Sequence, residues 1–167
     1  MVYTATALED WISQRYIKSR IQSASDISIE RIAMIHNIFI NFREMPARYD
    51  IHGRYKAIVL DARCSPEEQR EQFFHELCHI LRHVGHQTMM PAAFRELQEW
   101  DARHFTMYAT MPYFMLVDYD FENPYLIHDL AFDFDVTEQL CQKRIEHIQR
   151  NIMTNSFMVA ERNHYFF

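Results

Sequence analysis

Apolar residues near the start of the chain recur at helical spacing. Leu8, Trp11, Ile12, Ile17 and Ile21 form a stripe that predicts a helix between about Ala5 and Gln22. A shorter helix over Ser28–His36 would carry Ile29, Ile32, Ala33 and Ile35 on its apolar side. The period then changes. Ile38–Phe42 (IFINF) and Lys56–Ala62 (KAIVLDA) are dense in branched and aromatic residues, and His52-Gly53-Arg54 is a turn signal before the second run. This stretch predicts two or three antiparallel strands in a small sheet.

The clearest helix start follows the strands. Ser65 is placed to cap, Pro66 stands at the first helical position, and Glu68 completes a capping box. The pattern runs to about His83, with Gly85 as a stop. Pro91 opens a further helix to about Thr110, which Met111-Pro112 closes, and Asn123-Pro124 opens another. A last helix, from about Thr137 to Ile152, carries Leu140, Cys141, Ile145, Ile148 and Ile152. The apolar C-terminal stretch from Asn155, ending in HYFF, is expected to dock back on the body. The expected class is α+β and mainly helical: a small antiparallel sheet against one long helix, with a helical bundle at the C-terminal end.

Composition narrows the function. With 49% hydrophobic and 24% charged residues among 167, the chain is not disordered. Two glycines are too few for a sandwich, a barrel or a glycine-rich phosphate loop. A net charge of −6 disfavours direct binding to nucleic acid. Three cysteines, Cys64, Cys78 and Cys141, match no disulfide framework and point to a reducing compartment. The opening residues lack the regions of a signal peptide, and runs such as Tyr113–Val117 are too short to span a bilayer. A cytoplasmic protein without membrane contact is expected. Ten methionines and 24 aromatics (2 Trp, 9 Tyr and 13 Phe) suit an aromatic core or an apolar surface for a partner.

The capped helix contains His75-Glu76-Leu77-Cys78-His79, an HExxH pattern. Residues four apart lie on one helical face, so both imidazoles can reach one ion. Glu76 projects beside that face, where it can take a proton from water without ligating the metal. Catalytic zinc needs a third protein ligand and an open position. The next helix offers Glu96, Glu99, Asp101 and His104. The metzincin spacing fails, since it requires glycine and histidine where this chain has Arg82 and Gly85.

Three stretches, HELCHILRH, QEWDARHFTMYATMP and LAFDFDVTEQLCQKRIEHI, resemble the ImmA/IrrE family of bacterial and phage metallopeptidases. The likeness covers roughly Ile35 to Gln149. Glu99-Trp100-Asp101-Ala102-Arg103-His104-Phe105 matches the family's acidic motif and Met111-Pro112 its end. Phe134-Asp135-Val136-Thr137 with Arg144 matches a further stretch, while Cys78 and Thr106 depart from the usual Gly and Ala. The resemblance implies a zincin-like domain over residues 1–118 and a small helical subdomain over 119–167 packed on it. It implies one zinc held by a gluzincin-like set of His75, His79 and Glu99, with Glu76 as general base. It also implies an endopeptidase that cleaves a helix-turn-helix transcriptional repressor, so acting as an anti-repressor for phage, mobile-element or stress genes.

His83 and Asp101 are candidates for supporting the ligands from behind. The acidic charge suits a basic DNA-binding protein as substrate, and the apolar tail suits that substrate or an activating partner protein. One rival is a non-catalytic anti-repressor that binds the repressor stoichiometrically. Another is a structural metal module in which Cys78 or His104 closes the site. A DNA-binding reading ranks third, since no basic recognition face is visible. Tyr108, Tyr113, His104 and His164 are read as structural.

Overall fold

A computed structural model describes residues 3–83 and 91–164, with side chains described as far as residue 155. The expected stop at Gly85, the side chain of His164 and the docking of the HYFF end lie outside the described residues. The first helix, α1 (Ala7–Lys18), starts in a capping box in which Thr6 and Glu9 satisfy each other's backbone N–H. Its buried face is Glu9, Ile12 and Tyr16. Ile17, expected on the apolar stripe, is 62% exposed, because the 3.6-residue period through Ile12 favours Tyr16. A 3₁₀ turn (Ala24–Asp26) leads to α2 (Ile29–His36), which buries Ile32 and Ala33 and leaves Ile35 exposed.

The sheet is mixed, which corrects the antiparallel expectation. Strands β1 (Phe39–Arg43), β2 (Arg48–His52) and β3 (Tyr55–Asp61) lie in the order β1-β3-β2. β2 and β3 form a hairpin, turning at Gly53 with φ +59°, and pair antiparallel with Tyr49 opposite Ile58. The chain reverses twice between β1 and β3, so these two run the same way. With β3 in the middle, Ile40 sits opposite Ile58 in a parallel ladder. Composition explains the order: β3 has the continuous apolar run, with Ala57–Leu60 buried, and takes the centre, while β1 and β2 are partly exposed edges.

Helix α3 (Pro66–Arg82) starts as the sequence predicts: the Glu68 N–H donates to Ser65 Oγ and the Ser65 N–H to Glu68 Oε2. Gln72 accepts from the Asp61 N–H, fixing α3 at the end of β3. Phe73, Phe74, Leu77 and Cys78 are buried between the sheet and α4 (Ala92–Thr110). A short α5 (Tyr113–Leu116) and α6 (Leu126–Phe134) follow. Helix α7 (Glu138–His164) runs well past the expected end near Ile152. One hydrophobic cluster extends from Ile12 through Ile58, Phe74 and Phe105 to Leu130 and Ile148, on both sides of residue 118. Among the described residues no helix is long and apolar enough to cross a membrane.

α7 is tied to both ends of the fold by buried polar contacts. Glu71 of α3 accepts from the N–H and the hydroxyl of Thr137 at the start of α7. Arg144, wholly buried, donates to Glu9 Oε1 of α1 at 2.7 Å and to the Met111 carbonyl at 3.0 Å. Its guanidinium also lies 4.9 Å from the centre of the Tyr108 ring. Tyr3 donates to the same Glu9 carboxylate, and Tyr16 donates to the Ala109 carbonyl.

Candidate metal centre

Three side chains from two helices converge at the C-terminal half of α3. Helical spacing puts His75 and His79 one turn apart on the face turned towards α4. Glu99 reaches in from α4. His75 Nε2 lies 3.0 Å from Glu99 Oε2, and His79 Nε2 lies 3.4 Å from Glu99 Oε1 and 3.3 Å from His75 Nε2. Donors bound about 2.0–2.1 Å from a tetrahedral zinc are about 3.3–3.4 Å apart, so the two imidazole nitrogens at 3.3 Å have the spacing that zinc demands, and the Glu99 carboxylate presents one oxygen to each of them. The protonation states agree with that use. Burial pushes both imidazoles below the usual histidine range, against the pull of Glu99, which keeps their lone pairs available. His79 is buried, whereas His75 and Glu99 are 27% and 37% exposed, so the trio is open on one side.

Among the expected acidic candidates, Glu99 is the one that meets both His75 and His79, while Asp101 converges with Cys78 and His83. Glu96 is exposed one turn earlier on α4. Asp101 faces the other end of the histidine row. His104 turns back to the Trp100 carbonyl at 2.8 Å. Cys78 is buried and its Sγ lies 3.7 Å from Asp101, so neither Cys78 nor His104 belongs to the convergent trio.

His83 and Asp101 form a chain behind His79. His79 Nδ1 is 2.8 Å from His83 Nδ1, and His83 Nε2 is 3.0 Å from Asp101 Oδ2. Arg82 holds Asp101 with a two-pronged ion pair at 2.8 and 3.3 Å. If His79 offers the Nε2 lone pair to a cation, its Nδ1 carries hydrogen and donates to His83. His83 must then carry hydrogen on Nε2 and donate to Asp101. Every donor and acceptor in the chain is matched in this arrangement.

Glu76 is not among the convergent atoms. Burial, with Glu99 nearby, raises its carboxyl to about 7, while the backbone N–H of Tyr49 on β2 pulls the other way. The Tyr49 ring stacks on His79 with 5.6 Å between centres. Tyr49 escaped the sequence reading, since nothing local marks which residue of an edge strand will cover the histidine. Tyr108 is buried and hydrogen-bonded to His147 at 3.0 Å, and Tyr113 stacks on Tyr3. Both have the structural surroundings expected of them.

Comparison with known proteins agrees with this architecture. A family model described as Peptidase M78, IrrE N-terminal-like domain, matches residues 33–146, the segment that carries the sheet, α3, α4 and the start of α7. The chain is 33% identical over 159 residues to "Uncharacterized protein YqaB" of Bacillus subtilis (strain 168), covering 94% of this chain and 92% of that protein. It is 35% identical over 148 residues to "Phage-like element PBSX protein XkdA" of the same organism, covering 86% and 73%. No solved structure matches. With more than half of its length inside the family model, and with one relative matched nearly end to end, the chain belongs to the Peptidase M78 family of IrrE N-terminal-like domains.

Proposed function

We propose that the protein is a zinc-dependent endopeptidase that cuts a DNA-binding repressor of the helix-turn-helix class. The observation that carries the reading is the convergence of His75, His79 and Glu99, with Glu76 adjoining His75 on the cleft wall. His75, His79 and Glu99 would hold the ion. Zinc, when bound, supplies Lewis acidity and brings the pKa of water towards ~7. Glu76 accepts the proton of the attacking water on its carboxylate and hands it to the leaving amine. His83 and Asp101 keep the proton of His79 on Nδ1 and its ring fixed. The name of the phage-element relative supports a role on a mobile element, and the resemblance to anti-repressors supports the repressor as substrate. A general base placed beside an open metal site favours turnover over stoichiometric capture.

Elemental analysis tests the site. Wild-type protein purified without chelator should carry about one zinc per chain, and Glu99→Ala should lose it readily to a mild chelator. A wild type that neither carries nor takes up zinc sinks the reading. His83→Ala should retain the three ligands and bind zinc about 10–100-fold more weakly, measured by competition with a chromophoric chelator. Unchanged affinity would mean that the histidine chain behind His79 has no influence on the metal.

A further inference from the structure

The site opens into a cleft of about 530 Å³ between α3, α4 and α7, within the range of ligand-binding cavities. His75 and Glu76 line one wall. The floor is apolar, from Met107 of α4 and Leu140 of α7. The facing wall has the opposite character. Lys143, His147 and Arg150 stand at positions i, i+4 and i+7 of α7, one stripe of the helix, and Arg103 joins them from α4. Lys143 and Arg150 are seven residues apart, about 10 Å along the axis, enough to face two or three residues of an extended peptide.

The other polar side chains of this cleft are already engaged. Glu71 caps α7 through Thr137, and Gln72 bonds Asp61 and Cys64. Arg103, Lys143 and Arg150 make no ion pair among the described residues. Lys143 and Arg150 are exposed, so their charges are presented to whatever enters. A cationic wall on a chain of net charge −6 is a local inversion of the protein's field, and it shares its cleft with the candidate general base.

We infer that this cleft is a peptide-binding groove selective for acidic residues: Asp or Glu side chains within a few residues of the scissile bond, on one side of it, lie against Lys143, Arg150 and Arg103. The inference rests on the peptidase reading and names its substrate class. The segment that is cut would thus be an acidic stretch of its target, whatever the charge of the target's remaining surface. Nucleic acid is the rival occupant of a cationic wall, and the net charge of −6 on the chain as a whole disfavours it.

The test uses a mixed peptide library, cut by zinc-loaded full-length protein and mapped by mass spectrometry. Asp and Glu should be enriched on one side of the cuts. The doubly reversed variant Lys143→Glu/Arg150→Glu should lose roughly tenfold or more in kcat/KM on acidic peptides and shift its preference towards basic ones. Both residues are exposed, so the variant should fold, and circular dichroism verifies it. Binding is measured in parallel on Glu76→Gln protein by fluorescence anisotropy of a labelled acidic peptide, with a neutral peptide and a single-stranded oligonucleotide for comparison. Cuts without acidic enrichment, equal binding of acidic and neutral peptides, tighter binding of the oligonucleotide, or no effect of charge reversal would each overturn the groove. Acidic peptide held selectively by Glu76→Gln but never cut by the wild type would support the groove and sink the peptidase reading instead.

Discussion

Glu76→Gln should keep about one zinc per chain and lose roughly 10²–10⁴-fold in turnover of a cleaved protein or peptide. Glutamine matches the shape of glutamate, so the local packing has no reason to change. What disappears is the group that takes up a proton. The geometry also separates the two roles that a glutamate could have here: Glu99 meets both histidine nitrogens at 3.0–3.4 Å, whereas Glu76 is outside that trio. Metal content and turnover should therefore respond differently at the two positions. Near-wild-type turnover in Glu76→Gln would remove Glu76 from the mechanism, and loss of zinc would make it a ligand.

The largest effect on stability is expected from Arg144→Met, at about 3–5 kcal/mol in urea or thermal unfolding. Arg144 is fully buried and Glu9 is 3% exposed, so removing the cation leaves a carboxylate inside the protein with nothing to balance it. The cost comes mainly from that stranded charge. Glu9→Gln/Arg144→Met should consequently recover much of the loss, since the amide can keep the cap on Thr6. The dependence on pH gives an independent check. Burial alone would raise the Glu9 carboxyl, but Arg144 together with the Thr6 N–H and Tyr3 hydroxyl outweighs it and holds it below the usual range. In the wild type Glu9 therefore contributes stability above the unfolded value of about 4.3, lost as pH falls through the lower folded value. In Arg144→Met burial prevails, the folded value rises, and protonation relieves the strain. The stability gap between wild type and variant should shrink as pH falls from 7 towards 4. A gap that stays constant over that range would show that lost packing, rather than the stranded carboxylate, sets the cost.

The N-terminal helix thus has a specific place in the fold. Its sequence carries an apolar stripe and little else, and the matched family segment begins only at residue 33. Yet Glu9 caps its own helix and neutralises Arg144 135 residues later, and Tyr16 reaches the backbone of α4. Neither contact is legible locally, because a glutamate at the third position of a helix reads as a cap whether or not a distant arginine also needs it.

What the sequence determined by itself is local. Ser65, Pro66 and Glu68 specify where α3 starts, because capping uses groups within four residues of one another. The spacing of His75 and His79 puts both imidazoles on one face because the helical period leaves no alternative. The acidic motif around Glu99 is likewise a local run of residues, and its likeness to known metallopeptidases needs no packing to be read. Tertiary structure decided the rest. The order β1-β3-β2, and with it the mixed sheet, follows from which strand can be covered on both sides. Glu99 and Asp101 come to opposite ends of the histidine row through the register of α4 against α3, two packed helices that both send side chains, Phe73 and Leu77 from one and Ala102 and Phe105 from the other, into the core. The cationic wall exists only because α7 packs back beside α4, bringing Lys143 and Arg150 opposite a glutamate some 70 residues earlier in the chain. Periodicity and capping act over one or two turns; the meeting of separate helices depends on the volume and shape of the whole core.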